Sequence, residues 1–464
     1  MILISLLVLF LTGCNKSAPP RYQIGAYYYL WFPYNFNRKG YLRKCLNPPQ
    51  TPILGVYNSS DPAVAEQHIS WCSRYGIDFL AIDWWPNRPQ QNKVLDEGFL
   101  SAENIGDIKW CIFYETQSLG MNRANGSIIW TDKRTKRLIS DFIELSVRYF
   151  DHPSYLKIDD RPVIYLYLTR NFTGKTRAAI EKVRSVLRSR GVDPFIIADE
   201  IFWSVTVDGG GTFSGWTETP QASRIRLFDG ITTYNIYETL KPNHQGYAAG
   251  SRYLPEVEEI YRRYRDICGD EVLFVPNIIP GYNDRALRPA RGHYVIPRQW
   301  EEGGASGSLF SELFDRLGLA YIDSKVPIIM ITSWNEWNED TAIEPLSPSP
   351  PTTLDCSQSG TAFTGGYPYS GFGETYLHII RDKVVAVAGQ VLDERGNPAS
   401  GIIIEGWRGG ELATSDETDA AGYYRLSRSL MGEGEYRVAV KGRDLHRMVE
   451  VRKHRALTGI DFQL

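Results

Sequence analysis

The sequence predicts an α/β chain: a closed, TIM-type (β/α)8 barrel followed by a small antiparallel β-sandwich. Three observations carry this reading. From Tyr22 to about Asp382, short apolar runs alternate with segments of helical period. Those runs are apolar on both faces, as strands of a parallel sheet covered by helices must be. From about Val384 the helical period stops, and alternating runs punctuated by turn residues take its place. An open doubly wound sheet is the second reading of the first part, but no glycine-rich phosphate turn follows the first strand.

The chain opens on a segment outside the fold. Met1–Thr12 (MILISLLVLFLT) is apolar and too short to span a bilayer, and polar Asn15–Pro20 follows. Leu11-Thr12-Gly13-Cys14 resembles a bacterial lipobox, which implies lipidation at Cys14, export and a membrane anchor. A plain secretory signal with an incidental cysteine is the alternative. Residues 1–20 are therefore expected to be signal peptide and tether, 21–382 the barrel and 383–464 the β-sandwich.

Within the barrel, Ile24–Tyr29 reads as the first strand. Asp61-Pro62 is an N-cap followed by proline at the first helical position, opening a helix that ends before Gly76. Strands Ile77–Trp85 and Ile108–Glu115 follow, then helix Lys133–Phe150 and strand Pro162–Leu168. Helix Lys175–Arg190, closed by Gly191, leads to strand Pro194–Ala198. The order continues through Gly230–Thr233, a helix near Pro255–Ile267, strand Val272–Pro276, helix Leu309–Ile322 and strand Val326–Thr332. Pro345–Pro351 and Ser357–Gly373 read as one long loop region. Beyond it, Val385–Leu392 and Gly401–Trp407 read as strands.

Composition narrows the function. Net charge is -3, from 51 basic and 54 acidic side chains without long runs of either sign, so the electrostatic footprint of a nucleic-acid binder is missing. Aromatic residues make up 13% of the chain. Most belong in the core, but rings lining a cleft suit flat, hydroxyl-rich ligands such as sugars. Beyond Cys14 there are Cys45, Cys72, Cys111, Cys268 and Cys356, an odd number that leaves at least one thiol free in a monomer. No C-x-x-C occurs and the histidines lack ligand spacing, so neither a metal nor an organic cofactor is implied.

Active residues of a β/α barrel lie at the C-terminal ends of its strands. There the sequence places Tyr27-Tyr28-Tyr29, Asp83-Trp84-Trp85, Tyr114-Glu115, Asp199-Glu200, Tyr234, Gly281-Tyr282 and Trp334–Glu339. The sharpest element is Ser333-Trp334-Asn335-Glu336-Trp337-Asn338-Glu339-Asp340, after the last apolar run. On an extended strand two glutamates three apart point to opposite faces. In a turn they converge, with Cβ atoms about 5–6 Å apart. That brings carboxyls near the separation of about 5–5.5 Å used by retaining glycosidases.

Ile331–Pro345 (ITSWNEWNEDTAIEP) resembles the N-E-W-x-E…I-E-P segment of glycoside hydrolase family 99, endo-acting α-mannosidases and mannanases on a β/α barrel. Ala26–Phe32, Ile82–Trp85, Phe228-Asp229-Gly230 with Tyr234, and Ile279–Pro289 (IPGYNDRALRP) resemble further segments of that family, in order. His152–Tyr167 and Gly373–Leu377 are similar to WbsX-like polysaccharide-locus proteins. Gly389–Pro398 and Thr418–Tyr423 resemble carboxypeptidase regulatory-like, transthyretin-like modules. The resemblance implies retaining hydrolysis, with Glu336 as base on the sugar 2-hydroxyl and Glu339 as general acid/base. It implies substrate contacts from Tyr28, Tyr29, Trp85, Glu115, Tyr234, Tyr282, Asn335 and Trp337, and an oligo- or polysaccharide partner. The Asp208–Pro220 segment departs from the family pattern, which leaves the glycan open. A WbsX-like enzyme of other specificity and a non-catalytic glycan-binding lipoprotein stand as alternatives.

Overall fold

The computed structural model describes residues 20–38, 40–124, 126–201, 223–236, 245–289 and 292–464. The apolar leader with Cys14 and the Asp208–Pro220 segment lie outside the described residues.

Eight parallel strands close on themselves. They are β1 (Gln23–Tyr28), β2 (Phe79–Trp84), β3 (Lys109–Tyr114), β4 (Arg161–Leu166), β5 (Phe195–Asp199), β6 (Gly230–Thr232), β7 (Leu273–Phe274 and Asn277–Ile278) and β8 (Ile328–Ile331). Each pairs with its neighbour in chain order, and β8 returns to β1 with Ile24 opposite Ile329. Strand β7 differs from the single apolar run expected, because Pro276 has no N–H to give the ladder. Its first half pairs with β6 and its second half with β8, so the interruption passes the sheet from one neighbour to the other.

The barrel interior is aromatic. Tyr27 packs against Phe113, Tyr234 and Tyr165 at centroid distances of 4.5, 5.0 and 6.0 Å. Space is as tight at Gly25, where a Cβ would lie 2.2 Å from the Phe79 ring and 2.6 Å from the Met330 sulfur. Much of the aromatic surplus is thus spent on filling the barrel.

Helices α1 (Pro62–Tyr75), α2 (Pro89–Glu97), α3 (Asp132–Arg148), α4 (Thr176–Arg188), α5 (Tyr253–Cys268), α6 (Ser308–Leu313) and α7 (Thr375–Val384) cover the strands. The Asp61 carboxylate caps α1 by accepting from the Ala63 N–H at 3.1 Å, and Gly76 ends it with φ of 98°. Helix α6 runs on into a π-helical turn over Phe314–Leu319.

After β8, the proline-rich run expected to be loop is instead a strand. Leu346–Thr352 (β9) pairs with Tyr369–Gly373 (β10) in a two-stranded antiparallel ribbon. An edge strand tolerates prolines because their missing N–H groups face away from the partner.

Strands β11 (Val385–Leu392), β12 (Ile403–Arg408), β13 (Glu411–Glu417), β14 (Tyr423–Ser427), β15 (Gly434–Val440), β16 (His446–Val451) and β17 (Phe462–Gln463) form two sheets, ordered β14-β11-β17 and β13-β12-β15-β16. All pairs are antiparallel except β11 with β17. Val387, Val391, Ile404, Tyr424, Leu426 and Val438 meet in a core of their own between the sheets.

Candidate active site

One cleft of about 820 Å³ opens at the C-terminal ends of the strands. Tyr29 enters it just after β1, Trp85 after β2, Glu115 after β3, Tyr167 after β4 and Tyr234 after β6. Arg288 comes from the loop after β7, and Glu336 and Glu339 from the turn after β8. Five of the seven strand ends that the sequence singles out thus send a side chain into this cleft, while Asp199-Glu200 and Gly281-Tyr282 do not line it.

Local structure explains why the two glutamates converge. The Trp334 N–H donates to Tyr27 O at 2.8 Å, continuing the β8–β1 pairing one step past the strand. The chain then turns back on itself: the Ser333 N–H reaches Thr341 O at 2.9 Å, and the Thr341 N–H returns to Glu336 O at 3.2 Å. Asp340 closes the turn in the left-handed region, φ 52°, a conformation that Asp adopts more readily than most residues. Its buried carboxylate sits between two buried guanidiniums, Arg43 Nε at 2.6 Å and Arg298 Nε at 3.0 Å. They hold the Asp340 carboxyl below its usual range against the opposing effect of burial.

Asn335 and Trp337 brace this turn from behind. Asn335 accepts from the Tyr29 N–H at 2.8 Å and donates to Tyr29 O at 3.0 Å. Trp337 Nε1 donates to buried Glu344 at 3.1 Å, and Glu344 also accepts from the Tyr57 hydroxyl at 2.8 Å. Neither Asn335 nor Trp337 lies on the cleft wall, so the structure makes them scaffold, not the substrate contacts expected of them. Tyr28 is corrected in the same way. Strand alternation turns it outward to α1, where its hydroxyl meets His68 Nδ1 at 2.9 Å, while Tyr29 takes the cleft side. Tyr282, also expected as a contact, is buried and does not line the cleft; burial first, and then the Glu339 charge, push its hydroxyl well above the usual range, and its ring lies 5.6 Å from Tyr294.

The electrostatics of the cleft are those of crowded carboxylates. Glu336 is 5% exposed; burial first, and then the Glu339 charge, push its carboxyl well above the usual range, with the Asn338 N–H at 2.8 Å opposing. Burial also raises Glu115 well above its ordinary value and Asp83, beside it at the end of β2, to about 7. Asp83 accepts from Trp85 Nε1 at 2.7 Å and Gln91 at 3.0 Å, which fixes the Trp85 ring at the cleft edge. Arg88 lies 3.6 Å from that ring's centroid, a cation–π contact. The Tyr29 hydroxyl donates to the Tyr234 hydroxyl at 2.6 Å. Asp199 accepts from the Tyr234 N–H at 3.1 Å and from Arg170 at 2.5 Å, setting the backbone of that tyrosine.

Arg288 and Tyr167 line the cleft, and Asp83 positions Trp85 from behind it; none of the three was singled out as a contact from sequence. Arg288 places Nη1 and Nη2 at 3.1 and 3.2 Å from Glu339 Oε1 and also grips Asp284, which His293 meets at 2.7 Å. The signal for Arg288 was present in the Arg-Pro that closes Ile279–Pro289. Asp83 likewise stood in the double-Trp strand end. Tyr167 had no signal beyond its position after an apolar run.

Several known proteins resemble this chain. Glycoprotein endo-alpha-1,2-mannosidase of Rattus norvegicus is 25% identical over 309 residues, 64% of this chain, and this chain spans 56% of the rat protein. The Xenopus laevis protein of that name is 23% identical over 366 residues, 72% of each chain. Among solved structures, the GH99 endo-alpha-mannosidase of Bacteroides thetaiotaomicron superposes with a TM-score of 0.52 at 18% identity, covering 77% of this chain and 95% of that one. A structure described as a glycoside hydrolase-like protein gives 0.56 at 19% identity, over 82% and 97%. Those two likenesses speak for the fold. The profile of glycosyl hydrolase family 99 matches residues 46–353, and with two thirds of its sequence inside that match the chain belongs to that family.

Proposed function

We propose that this protein is an exported, membrane-anchored, retaining endo-acting glycoside hydrolase that cleaves α-mannosidic linkages in mannan or mannose-rich glycans. The observation that carries the proposal is the pair Glu336 and Glu339, set on one closed turn and lining one aromatic cleft. Family membership and the activity named for the rat and Xenopus relatives support the substrate class. The apolar leader ending at Cys14 supports export and lipid anchoring.

In this reading Glu336 takes the proton of the sugar 2-hydroxyl while that oxygen attacks the anomeric carbon. Glu339 protonates the departing glycosidic oxygen, and a 1,2-anhydro sugar results. Water then opens the anhydro ring: Glu339 accepts the water proton and Glu336 returns its proton to the 2-oxygen. Two displacements at the anomeric carbon retain configuration. The axial 2-hydroxyl of an α-mannoside stands opposite the leaving group, which suits this attack. Burial holds the Glu336 carboxyl well above its usual range, so less of it is ionised, but each ionised carboxylate is a stronger base toward the hydroxyl. Tyr29, Tyr234 and Trp85 offer hydroxyls and a ring face to the sugars.

The test is incubation of the chain, starting after Cys14, with α-mannan and a panel of other surface glycans, products being read by mass. Wild type should release small α-mannose oligosaccharides, and Glu336→Gln or Glu339→Gln should slow release by about 10²–10⁴-fold or more. Activity on a different glycan, lost in both variants, would keep the mechanism and move the substrate. Binding without product in all three proteins would replace the enzyme with a glycan-binding protein.

A further inference from the structure

Two cysteines far apart in sequence are brought together beside the catalytic turn. Cys45 ends the short helical turn Leu42–Cys45 in the loop after β1, and Cys356 lies between β9 and β10. Leu46 and Asp355 form an isolated antiparallel bridge. It is flanked by the Asn47 N–H donating to Leu354 O at 2.9 Å and the Cys356 N–H donating to Cys45 O at 2.7 Å. That register sets Cys45 directly opposite Cys356. In a regular ladder, residues so paired have Cα atoms about 5.5 Å apart, inside the range of about 4.4–6.8 Å that disulfides span. Burial first, and then the neighbouring Cys356, push the Cys45 thiol up to about 12. Cys72, Cys111 and Cys268 are buried on α1, β3 and the end of α5, whereas Cys45 is half-buried and Cys356 exposed.

We propose that Cys45 and Cys356 form a disulfide that ties the ribbon after β8 to the loop after β1 and so closes a brace around the catalytic turn. The brace is already visible in the polar contacts. From the Cys45 turn, Arg43 reaches Asp340, the residue after Glu339, and donates to Ser370 O on β10 at 3.0 Å. Gln50 Nε2 donates to Tyr369 O at 2.8 Å. The covalent link would join the same two segments at their far end. Its formation in the cell needs an oxidising compartment and so rests on the export reading, while its chemistry is testable without that reading.

The step balances with an external disulfide as oxidant. The exposed Cys356, as thiolate, attacks one sulfur of that disulfide and expels one thiolate. Cys45 then loses its proton, attacks the Cys356 sulfur and expels the second. The two protein thiols give up two protons and two electrons, and the oxidant becomes two thiols.

The test uses the purified chain incubated with oxidised glutathione, then denatured, alkylated, digested without reductant and mapped by mass. The expected result is one cross-linked pair containing Cys45 and Cys356, lighter than the two free-thiol peptides by two hydrogens, with Cys72, Cys111 and Cys268 alkylated. Alkylation of both Cys45 and Cys356, glutathione left on Cys356, or a dimer joined through Cys356 would each overturn the pairing. In parallel, reduction with dithiothreitol should lower the Tm of the oxidised protein by a few degrees. Cys45→Ser and Cys356→Ser should each remove that redox-dependent shift. A cross-link that leaves Tm unchanged would overturn the brace. Glycan hydrolysis enters none of these readouts, so their failure is separate from failure of the glycosidase reading.

Discussion

Glu336 and Glu339 share a cleft but differ in their surroundings. Glu336 is nearly sealed from solvent, with a backbone N–H on its carboxylate, while Glu339 is 15% exposed and faces Arg288. The Arg288 guanidinium pairs with Glu339 and lowers the Glu336 pKa through space. Removing it therefore raises the Glu336 pKa further. As the proposed base, Glu336 must be ionised to act, so the acidic limb of the pH–rate profile moves up. Arg288→Met is expected to shift that limb of the kcat/KM profile toward higher pH by about 1 unit. A profile that keeps that limb while losing height would show that Arg288 holds substrate and does not set this ionisation.

At the scale of elements, the turn after β8 depends on charges that come from two other parts of the chain. Among the described residues, Asp340 is the carboxylate that Arg43, in the loop after β1, and Arg298, in the loop after β7, share. Asn tolerates the left-handed backbone at this position, so Asp340→Asn isolates the loss of charge from any backbone effect. It leaves two buried guanidiniums without their counter-ion and should cost about 3–5 kcal/mol. Urea unfolding would check this, and a loss under about 1 kcal/mol would sink the buried-triad account. The same turn shows what the sequence made legible. Its motif gave the two glutamates that share the cleft, because N-E-W-N-E is local. The strand ends were legible too, since apolar runs mark where each strand stops. The supporting shell was not: Arg43 and Arg298 act on Asp340, and Glu344 on Tyr57 and His68, all distant in sequence, and one sequence does not reveal such pairs. Period two gives alternation but not its phase, so Tyr28 and Tyr29 could not be told apart until β1 met α1. The Pro345–Pro351 run looked like loop because composition alone does not distinguish an edge strand from a coil.

For the whole molecule, the question is whether the barrel and the β-sandwich behave as one unit. Contacts between them gather at the start of β1 and the end of α1. Asp78 accepts from the Ile24 N–H at 2.8 Å and pairs with Arg21 at 3.3 Å and, from the β-sandwich, with Arg425 at 3.0 Å. Arg21 also reaches Asp416 at 3.1 Å, and the Ser73 hydroxyl donates to Asp419 at 2.7 Å. Gly76 fits the joint closely: a Cβ there would lie 2.7 Å from Val384, where α7 hands over to β11. These groups are partly shielded, with Asp78 18% and Arg425 13% exposed, so the pair is worth more than a surface ion pair and less than a sealed one. Asp78→Ala removes the shared carboxylate and leaves two arginines facing each other across the joint, a cost of roughly 1–3 kcal/mol. Because the two cores are separate, that cost falls on their coupling more than on either core. Scanning calorimetry should therefore show one transition for the intact protein and two for Asp78→Ala, the β-sandwich and the barrel melting apart. Two transitions already present in the wild type would mean that the joint never coupled them. A single, lowered transition in the variant would mean that Asp78 serves the β1 strand and not the joint.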